Sequence, residues 1–427
     1  MSRPMKDSGI AWVNKIPSDW DIHPLYYYFA ERNRPNRRGK ENNLLSLSYG
    51  KIIKKDINIC EGLLPASYNS YNIIDPLDIV LRLTDLQNDK RSLRTGLSHE
   101  RGIITSAYVT LKPSNRVCPA FFHYLLHAYD VEKVLYNMGN GVRQSLNYAE
   151  LSKLPLLEPS LQEQQRIAGY LDKKCAEVEG LSSNIQKQIE ALEQYKRAVI
   201  TETVTKGLNP SAPMKDSGIP WIGQIPAHWN LNKLKYVTTK LERGTSPDYT
   251  DEELTRVVNQ ATFSRGFFND KDTKFSTKPA AGSRGLLKRH DVLLASTGGG
   301  VLGKTHFFDE VETYVADGHV TIARANEKKI LSKLLYYLFF TNFDTFNALM
   351  TKGSTNQTEL QSLDLANMFI PVPPLSEQQQ IVQVLDRHTQ TIARAIHSKQ
   401  QQLEKLEQYK KAIIFEYVTG KKQVPEA

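Results

Sequence analysis

Cysteine is scarce in this sequence. Its 427 residues hold three, Cys60, Cys118 and Cys175, with no Cys-x-x-Cys pair and no cluster of cysteine with histidine. Neither a disulfide framework nor a zinc site is indicated, and the thiols read as those of a reducing compartment. Long apolar runs are missing as well. Leu334 to Phe340, among the most apolar stretches, falls far short of the ~20 residues that cross a bilayer, and the opening Met1-Ser-Arg-Pro has no apolar leader core. A soluble, cytoplasmic protein without membrane association is expected. Acidic residues are outnumbered, 46 Asp and Glu against 55 Lys and Arg, leaving a formal charge of +9 and a pI near 9.1. That excess favours a polyanionic partner, although a plain basic cytosolic protein carries a similar one. Neither an Asp/Asn-Pro-Pro-Tyr nor a Phe-x-Gly-x-Gly element appears, so adenine methylation is not expected of this chain. No catalytic set and no metal-ligand set is expected either.

What the sequence does contain, it contains twice. Met5-Lys-Asp-Ser-Gly-Ile10, with Trp12, Ile16-Pro17 and Trp20, returns 209 residues later as Met214-Lys-Asp-Ser-Gly-Ile219, with Trp221, Ile225-Pro226 and Trp229. Leu161-Gln-Glu-Gln-Gln165 through Leu192-Glu-Gln-Tyr-Lys196 returns after 214 residues as Leu375-Ser-Glu-Gln-Gln379 through Leu406-Glu-Gln-Tyr-Lys410. The chain is two copies of one unit, and the change of offset places their length difference between the repeated blocks.

Each copy splits into a globular part and a long helix. Over 21–137 and 230–350, strand-like runs such as Asp78-Ile-Val-Leu81, Ala107-Tyr-Val-Thr-Leu111 and Asp291-Val-Leu-Leu-Ala295 are broken by Gly, Asn and Pro turns. Short helical runs at Ala120 to Tyr129 and Leu331 to Phe340 join them, so each part predicts a mixed α/β domain. The periodicity then changes. Leu171, Cys175, Val178, Leu181, Ile185, Ile189, Leu192, Tyr195 and Val199 recur at three- and four-residue steps, as do Leu385, Thr389, Ile392, Ala395, Lys399, Leu403, Leu406, Tyr409 and Ile413. Two such seams in one chain bury most simply against each other, antiparallel under a pseudo-twofold relation and crossing near Ile185 and Lys399. Lys399 either sets register there or lays its stem along the seam edge. Ser160 with Glu163 predicts a capping box for the first helix, Ser376 and Gln379 offer caps for the second, and Gly207 and Pro210 stop the first. From Ile167 to Thr203 the helix is roughly 55 Å long at 1.5 Å per residue. The expected architecture is mixed α/β with a pseudo-twofold internal repeat: globular domains over 1–158 and 207–372, spacer helices over 159–206 and 373–420 forming an antiparallel coiled coil, and a tail over 421–427.

The helices share long identical stretches, whereas the globular parts, 25–138 and 234–350, have almost no aligned identity. One domain used twice suits a symmetric DNA site. Two unlike domains on one rod suit an asymmetric, two-part target. Lys6-Asp-Ser-Gly-Ile-x-Trp12 with Ile16-Pro17-x-x-Trp20, its twin over 215–229, and the entries Leu157-Glu-Pro-Ser-Leu-Gln-Glu-Gln-Gln165 and Pro371-Val-Pro-Pro-Leu-Ser-Glu-Gln-Gln379 complete the pattern. With its order of head, helix, head, helix, the chain resembles the specificity subunits of type I restriction-modification systems over nearly its whole length. The resemblance implies two target recognition domains, each reading one half of a bipartite sequence in double-stranded DNA. It also implies paired helices that set the gap and dock two methyltransferase subunits, to which restriction/translocase subunits add. Adenine N6 methylation and cleavage, with S-adenosylmethionine, ATP and magnesium, then belong to partner subunits, and this chain binds no cofactor. Lys399 and Thr389 depart from the family's seam pattern. A same-class alternative is the specificity partner of a fused nuclease-methyltransferase, and a purely structural one is a helical adaptor with passive domains.

A third alternative is an ATP-dependent enzyme. Gly298-Gly-Gly-Val-Leu-Gly303-Lys304-Thr305 satisfies the G-x-x-x-x-G-K-[ST] phosphate-loop pattern after a plausible strand. The mechanism needs a helix starting at Lys304, and the residues that follow alternate like a strand, so a glycine-rich turn is the better reading. Asp248, Asp272 and Lys274 loosely fit a nuclease carboxylate–lysine pattern that is too degenerate to use. Phosphate contacts draw on Arg, Lys and small polar donors, and base reading on Arg, Asn and Gln. The DNA-binding candidates in the first head are Arg34, Arg37, Arg38 and Lys40, then Ser48, Tyr49 and Lys51, then Arg82, Arg91 and Arg94, then Arg143 and Gln144. Those of the second are Arg243, Thr245, Asn259, Gln260, Arg265, Arg284, Lys304, Asn356 and Gln357. A solvated surface run is the competing reading of the first group.

Overall fold

The computed structural model of the protein describes residues 3–58, 67–86, 93–138, 145–298, 300–349, 351–352 and 358–425. It forms two compact units, one from residues 1–186 with 400–427 and the other from 187–399. The repeated motifs play the same part in each. In the first unit Met5–Asp7 and Lys15–Pro17 pair antiparallel across the repeated Lys-Asp-Ser-Gly-Ile. Asp7 Oδ1 accepts from the Gly9 amide at 2.9 Å, Ser8 Oγ accepts from the Ile10 amide at 3.0 Å, and Gly9 sits at φ +66°. That is left-handed backbone, which glycine reaches without Cβ strain. The second unit repeats the turn between Met214–Asp216 and Gln224–Pro226, with Asp216 on Gly218 at 3.0 Å and Ser217 on Ile219 at 3.1 Å.

Each globular part is built on a four-stranded antiparallel sheet with the same strand order. In the first it runs Phe29–Glu31, Val109–Pro113, Ile79–Leu81, Thr95–Leu97, and in the second Thr238–Arg243, Val320–Ala325, Val292–Ala295, Thr305–Phe307. Asp78 and Asp291, both fully buried, open the third strand of each sheet. They accept from the amides of Asp75 and Lys288 at 2.8 Å, and the residues just before them, Leu77 and His290, have φ of +72° and +70°. Arg32 pairs with Asp78, and Arg324 grips Asp291 through two 2.7 Å bonds. Without such partners a buried carboxylate would be costly. The helices Pro119–Val131 and Ser332–Thr341 lay Phe121, Phe122, Leu125 and Leu126, or Leu334, Leu335, Leu338 and Phe339, into the cores. The additions differ. The first head carries the hairpin Leu45–Ser48/Lys51–Lys54, and the second a small sheet of Tyr249–Thr250, Lys274–Ser276, Thr255–Val258 and Tyr314–Ala316.

The long helices are Leu161–Lys206 and Leu375–Val418, of 46 and 44 residues. They pair antiparallel in both units. In the first, the Tyr170 and Tyr417 hydroxyls lie 3.2 Å apart and Glu179 meets Lys410 at 2.7 Å. In the second, Gln188 meets Lys399, and Ile200 and Val204 share a core with Leu385 and Ile381. The less exposed positions follow a strict four-three heptad: 171, 175, 178, 182, 185, 189, 192, 196 and 199 on one helix, 385, 389, 392, 396, 399, 403, 406, 410 and 413 on the other. The expected seam needs correction at three places, since Leu181, Tyr195 and Tyr409 are 54%, 55% and 49% exposed. Two successive three-residue steps at ~100° per residue turn a side chain off the seam, and Ser182, Lys196 and Lys410 take those places. Ala395 and its neighbour Ile396 are both half-buried. Leu171, Val178, Ile189 and Ile392 are buried, while Ile185, Leu192, Lys399, Leu403 and Leu406 are half-buried. The Lys399 ammonium donates to Gln188 Oε1 at the seam edge.

Where each long helix begins, the repeated Glu-Gln pair ties it to its head. Trp20 Nε1 donates to Glu163 Oε2 at 3.1 Å and Trp229 Nε1 to Glu377 Oε2 at 3.0 Å, with both indoles fully buried. The next residues, Gln164 and Gln378, are buried. Their side-chain oxygens accept from the amides of Cys118 at 2.9 Å and Leu331 at 2.8 Å, the N-caps of the two head helices. Their amide groups donate to Pro159 O at 2.9 Å and Pro373 O at 2.8 Å. The expected capping boxes are therefore incomplete. Ser160 Oγ accepts from the Glu163 amide at 3.3 Å, but the carboxylate is engaged by Trp20 and Arg3. At the second helix Ser376 lies inside the first turn, and Pro374 O receives the Glu377 and Gln378 amides. The far ends close on the same tryptophans: a Cβ on Gly207 would stand 3.0 Å from Trp229, and one on Gly420 would stand 2.4 Å from Pro17 and 3.1 Å from Trp20. Gln164→Ala or Gln378→Ala strands a buried N–H and a buried carbonyl, so we expect local stability to fall by about 2–4 kcal/mol. Hydrogen–deuterium exchange at the start of the matching head helix should then accelerate roughly 30- to 1,000-fold; a change under about threefold would remove the glutamines from this role.

Candidate nucleic-acid interface

The basic loop of the first head divides into a spent half and a free half. Asp75 takes Arg32 at 3.0 Å, Arg34 at 2.7 Å and Arg101 at 3.3 Å. Burial pushes the Asp75 carboxyl up, but the Arg34 hydrogen bond and the three guanidinium charges outweigh it and hold the group below the usual carboxylate range. Arg34 is thus engaged within the head. Arg37, Arg38 and Lys40 are exposed and, among the described residues, have no carboxylate partner. They line a cleft of about 450 Å³. Buried Asn36 closes the loop beneath them, donating to Glu41 O at 2.8 Å and accepting from the Glu41 amide at 3.2 Å.

The neighbouring hairpin turns at Tyr49-Gly50, whose φ values of +46° and +79° suit a two-residue turn that follows strand twist. Ser48 closes the ladder opposite Lys51, and Tyr49 is 83% exposed at the tip. Lys51 is exposed but already paired. Its ammonium meets Glu179 of the first long helix at 2.6 Å, beside Lys410 at 2.7 Å. Arg94 also departs from the expected role, because it is fully buried. Its guanidinium donates to Tyr136 Oη at 3.1 Å, to the carbonyls of Arg82 at 3.0 Å and Thr84 at 2.9 Å, and to Asp85 O at 3.2 Å. Four bonds, three to carbonyls and one to a hydroxyl, make this guanidinium an internal brace, not a DNA contact. Arg82, half-buried, pairs its backbone with Arg94.

In the second head several polar groups meet at one end of the four-stranded sheet. Gln260 Nε2 donates to Thr297 Oγ1, which lies 2.9 Å from His319 Nδ1. Thr297 bridges Glu359 in the backbone, Arg243 pairs with the Glu359 carboxylate at 3.3 Å, and Thr245 bridges Asp317. His319 escaped the sequence reading, although the Asp317-Gly-His319 turn just before a strand was a usable signal. Other expected contacts have internal roles. Asn259 caps the helix Gln260–Phe263, accepting from the Ala261 amide at 2.8 Å and donating to Asp272 O at 2.9 Å. Arg265 pairs with Asp272, and Arg284 donates to Gly244 O at 2.7 Å. Arg91, Arg143, Gln144, Asn356 and Gln357 lie outside the described residues.

The Gly298–Thr305 segment cannot cradle a phosphate in the way its pattern suggests. The Gly303 amide donates to Ala295 O at 2.8 Å and the Lys304 amide to Val301 O at 3.0 Å, and Thr305–Phe307 is a strand. The Gly298 and Leu302 amides are also used, donating to Thr358 O and Gly298 O, and no helix begins at Lys304. The Lys304 ammonium sits 5.1 Å from the centre of the Phe343 ring. The carboxylates of the loose nuclease pattern are also paired internally, Asp248 with Lys278 at 3.0 Å and Asp272 with Arg265. Among the described residues Asp21, His23 and Glu158 come together as possible metal ligands, but Glu158 already accepts from Tyr28 Oη at 2.9 Å. No helix among the described residues is long and apolar enough to cross a membrane.

Comparison with known proteins identifies the family. A family model described as a type I restriction modification DNA specificity domain matches residues 104–191 and 228–408, more than half of the chain. A putative type I restriction enzyme MjaX specificity subunit of Methanocaldococcus jannaschii is 26% identical over 435 residues, 96% of either chain. The type I restriction enzyme MjaVIII specificity subunit of the same organism is 26% identical over 334 residues, 76% of this chain and 75% of that one. In fold, a chain solved in work on complex assembly and conformational transition of the type I R-M system gives a TM-score of 0.69 at 16% identity, covering 95% of this chain and 99% of that one. With the family model covering more than half of it, the chain belongs to the DNA specificity subunits of type I restriction-modification systems, which are non-catalytic and act with methyltransferase and restriction subunits.

Proposed function

We propose that the two heads each read one half of an asymmetric, bipartite site in double-stranded DNA, and that the paired helices set the gap between the halves. The observation that carries this reading is one sheet topology, used twice, bearing different polar loops. The first head presents Arg37, Arg38 and Lys40 to phosphate and Tyr49 at a hairpin tip. The second presents Arg243, Thr245, Gln260, Thr297 and His319 from one sheet end, with Lys304 near them in sequence. Base reading in the major groove suits the Gln260 amide, and phosphate positioning suits the free cations. Residues 1–158 and 207–372 act as the target recognition domains, 159–206 and 373–420 as spacers.

Each unit repeats the same junction of tryptophan, Glu-Gln and helix end, which supports two equivalent docking surfaces and hence two methyltransferase subunits. Restriction subunits add to these. S-adenosylmethionine, ATP and magnesium are bound by the partners, where methylation and cleavage take place. Replacing Arg37, Arg38 and Lys40 together with alanine should flatten the salt dependence of DNA binding by the assembled complex, lowering the log–log slope by up to ~2.7 at ~0.9 per phosphate contact. Methyltransferase co-purification should stay intact; an unchanged slope would show that these cations face solvent only. Gln260→Ala should relax one half-site by about 1–3 kcal/mol, or roughly 5- to 150-fold, while the other half keeps its selectivity. Equal selectivity for every base of both halves in a competition binding assay would exclude Gln260 from readout.

A further inference from the structure

The repeat retains one exposed feature that packing does not require. Leu192-Glu-Gln-Tyr-Lys196 in the second unit is identical to Leu406-Glu-Gln-Tyr-Lys410 in the first. Leu192, Lys196, Leu406 and Lys410 occupy seam positions and are half-buried, which accounts for the ends of the motif. Its middle is different. Glu193, Gln194 and Tyr195 are exposed, and so are Glu407, Gln408 and Tyr409. Among the described residues neither tyrosine stacks on another ring or hydrogen-bonds through its hydroxyl. Tyrosine is also a poorer helix former than the alanine, lysine and glutamate found elsewhere on these helices. Neither packing nor propensity therefore explains it.

Outward positions of the long helices are not retained in general. Exposed Lys187, Ala191 and Arg197 stand where the other copy has exposed Gln401, Lys405 and Lys411. One turn further on the two units differ in shape as well. Gln194 lines a groove of about 640 Å³ with Arg197, Thr201 and Trp221 in the second unit, whereas Phe415 of the first takes the place of Thr201 and packs on its core. A single exposed aromatic is ordinary on a protein surface and needs no explanation. One kept twice at the same helical step, while its exposed neighbours changed, marks a constraint from outside the chain that acts on both units.

We propose that Tyr195 and Tyr409 are the anchors by which methyltransferase subunits dock, one copy on each, with the phenol ring seated in a pocket of the methyltransferase. This rests on the reading above that the chain carries two equivalent docking surfaces. The occupant follows from the duplication: the same exposed residues on two units bind one protein that is present twice. Tyrosine suits the part, because it brings a large contact area with few torsions to fix and a hydroxyl for one polar bond. Glu193 and Glu407 beside the rings place a carboxylate at the rim, where it selects a basic residue of the methyltransferase.

Native mass spectrometry of the full chain co-expressed with its methyltransferase tests this at a concentration just sufficient to saturate the unaltered chain. That chain should carry two methyltransferase copies, Tyr195→Ala or Tyr409→Ala one, and the double variant none, each truncation weakening its own site by about 30-fold or more. Tyr195→Phe and Tyr409→Phe keep the ring and should hold both copies. Circular dichroism should not change, since neither ring packs within the chain. A folded double alanine variant that keeps two copies would overturn the anchors and leave the two-surface reading standing, whereas a single copy on the unaltered chain would overturn both. Loss of restriction subunits with both methyltransferases retained would assign the tyrosines to the wrong partner and overturn the proposal as well. Hydroxyl-radical footprinting of the unaltered complex needs no variant: both tyrosines should be protected on assembly, and unchanged labelling of either would contradict the assignment.

Discussion

A single constraint organises both units: the first turn of each long helix cannot leave its head without unpairing buried polar groups. Glu163 and Glu377 hold an indole N–H, and Gln164 and Gln378 hold the amide at a head-helix N-cap. The tryptophans and glutamines are buried, while the two carboxylates keep a partly exposed edge. Hydrogen bonds of this kind contribute modestly when made and are expensive to break. Two adjacent residues thereby fix both the direction in which the rod leaves and the helix that covers the sheet. The far end of each rod, closed by Gly207 or Gly420 against a tryptophan, completes the same junction from the other side.

With that junction duplicated, divergence is free to accumulate elsewhere, and its chemistry is informative. The same repeated lysine meets two fates. Lys410 pairs with Glu179 in the first unit, whereas Lys196 in the second lies against Phe340, with its pKa lowered by burial. The sheets keep their buried Asp78 and Asp291 and the arginines that pair with them, although Arg32 follows the strand Phe29–Glu31 and Arg324 lies within Val320–Ala325. Charge balance in the core is preserved by geometry, not by sequence identity. The loops above the sheets carry no such requirement, so they can diverge between the two heads.

Much of this was legible in the sequence because repetition and periodicity are strong local signals. The two long helices, the mixed α/β heads and their order follow from patterns that packing cannot easily override. The seam was misread at Leu181, Tyr195 and Tyr409 because each is apolar and only one residue from the true heptad position. Polar Ser182, Lys196 and Lys410 fill those positions instead. The interface was harder to read because an arginine that grips carbonyls and one that grips phosphate look alike in sequence. Arg94 became a buried brace, Arg34 a carboxylate partner and Asn259 a helix cap, and only the fold supplies the groups that distinguish them. His319 was missed because the strand that brings it to Thr297 and Gln260 is far from them in sequence.

The central claim is that one head reads one half-site while the rod keeps the spacing. Sequencing methylated adenines in cells that express the chain with its methyltransferase tests it most directly, comparing the unaltered chain with one whose residues 34–40 and 45–54 are exchanged for those of another family member. The account predicts a split, asymmetric motif in which the exchange changes one half and leaves the other half and the gap intact. Changes in both halves, or an altered gap between them, would contradict it.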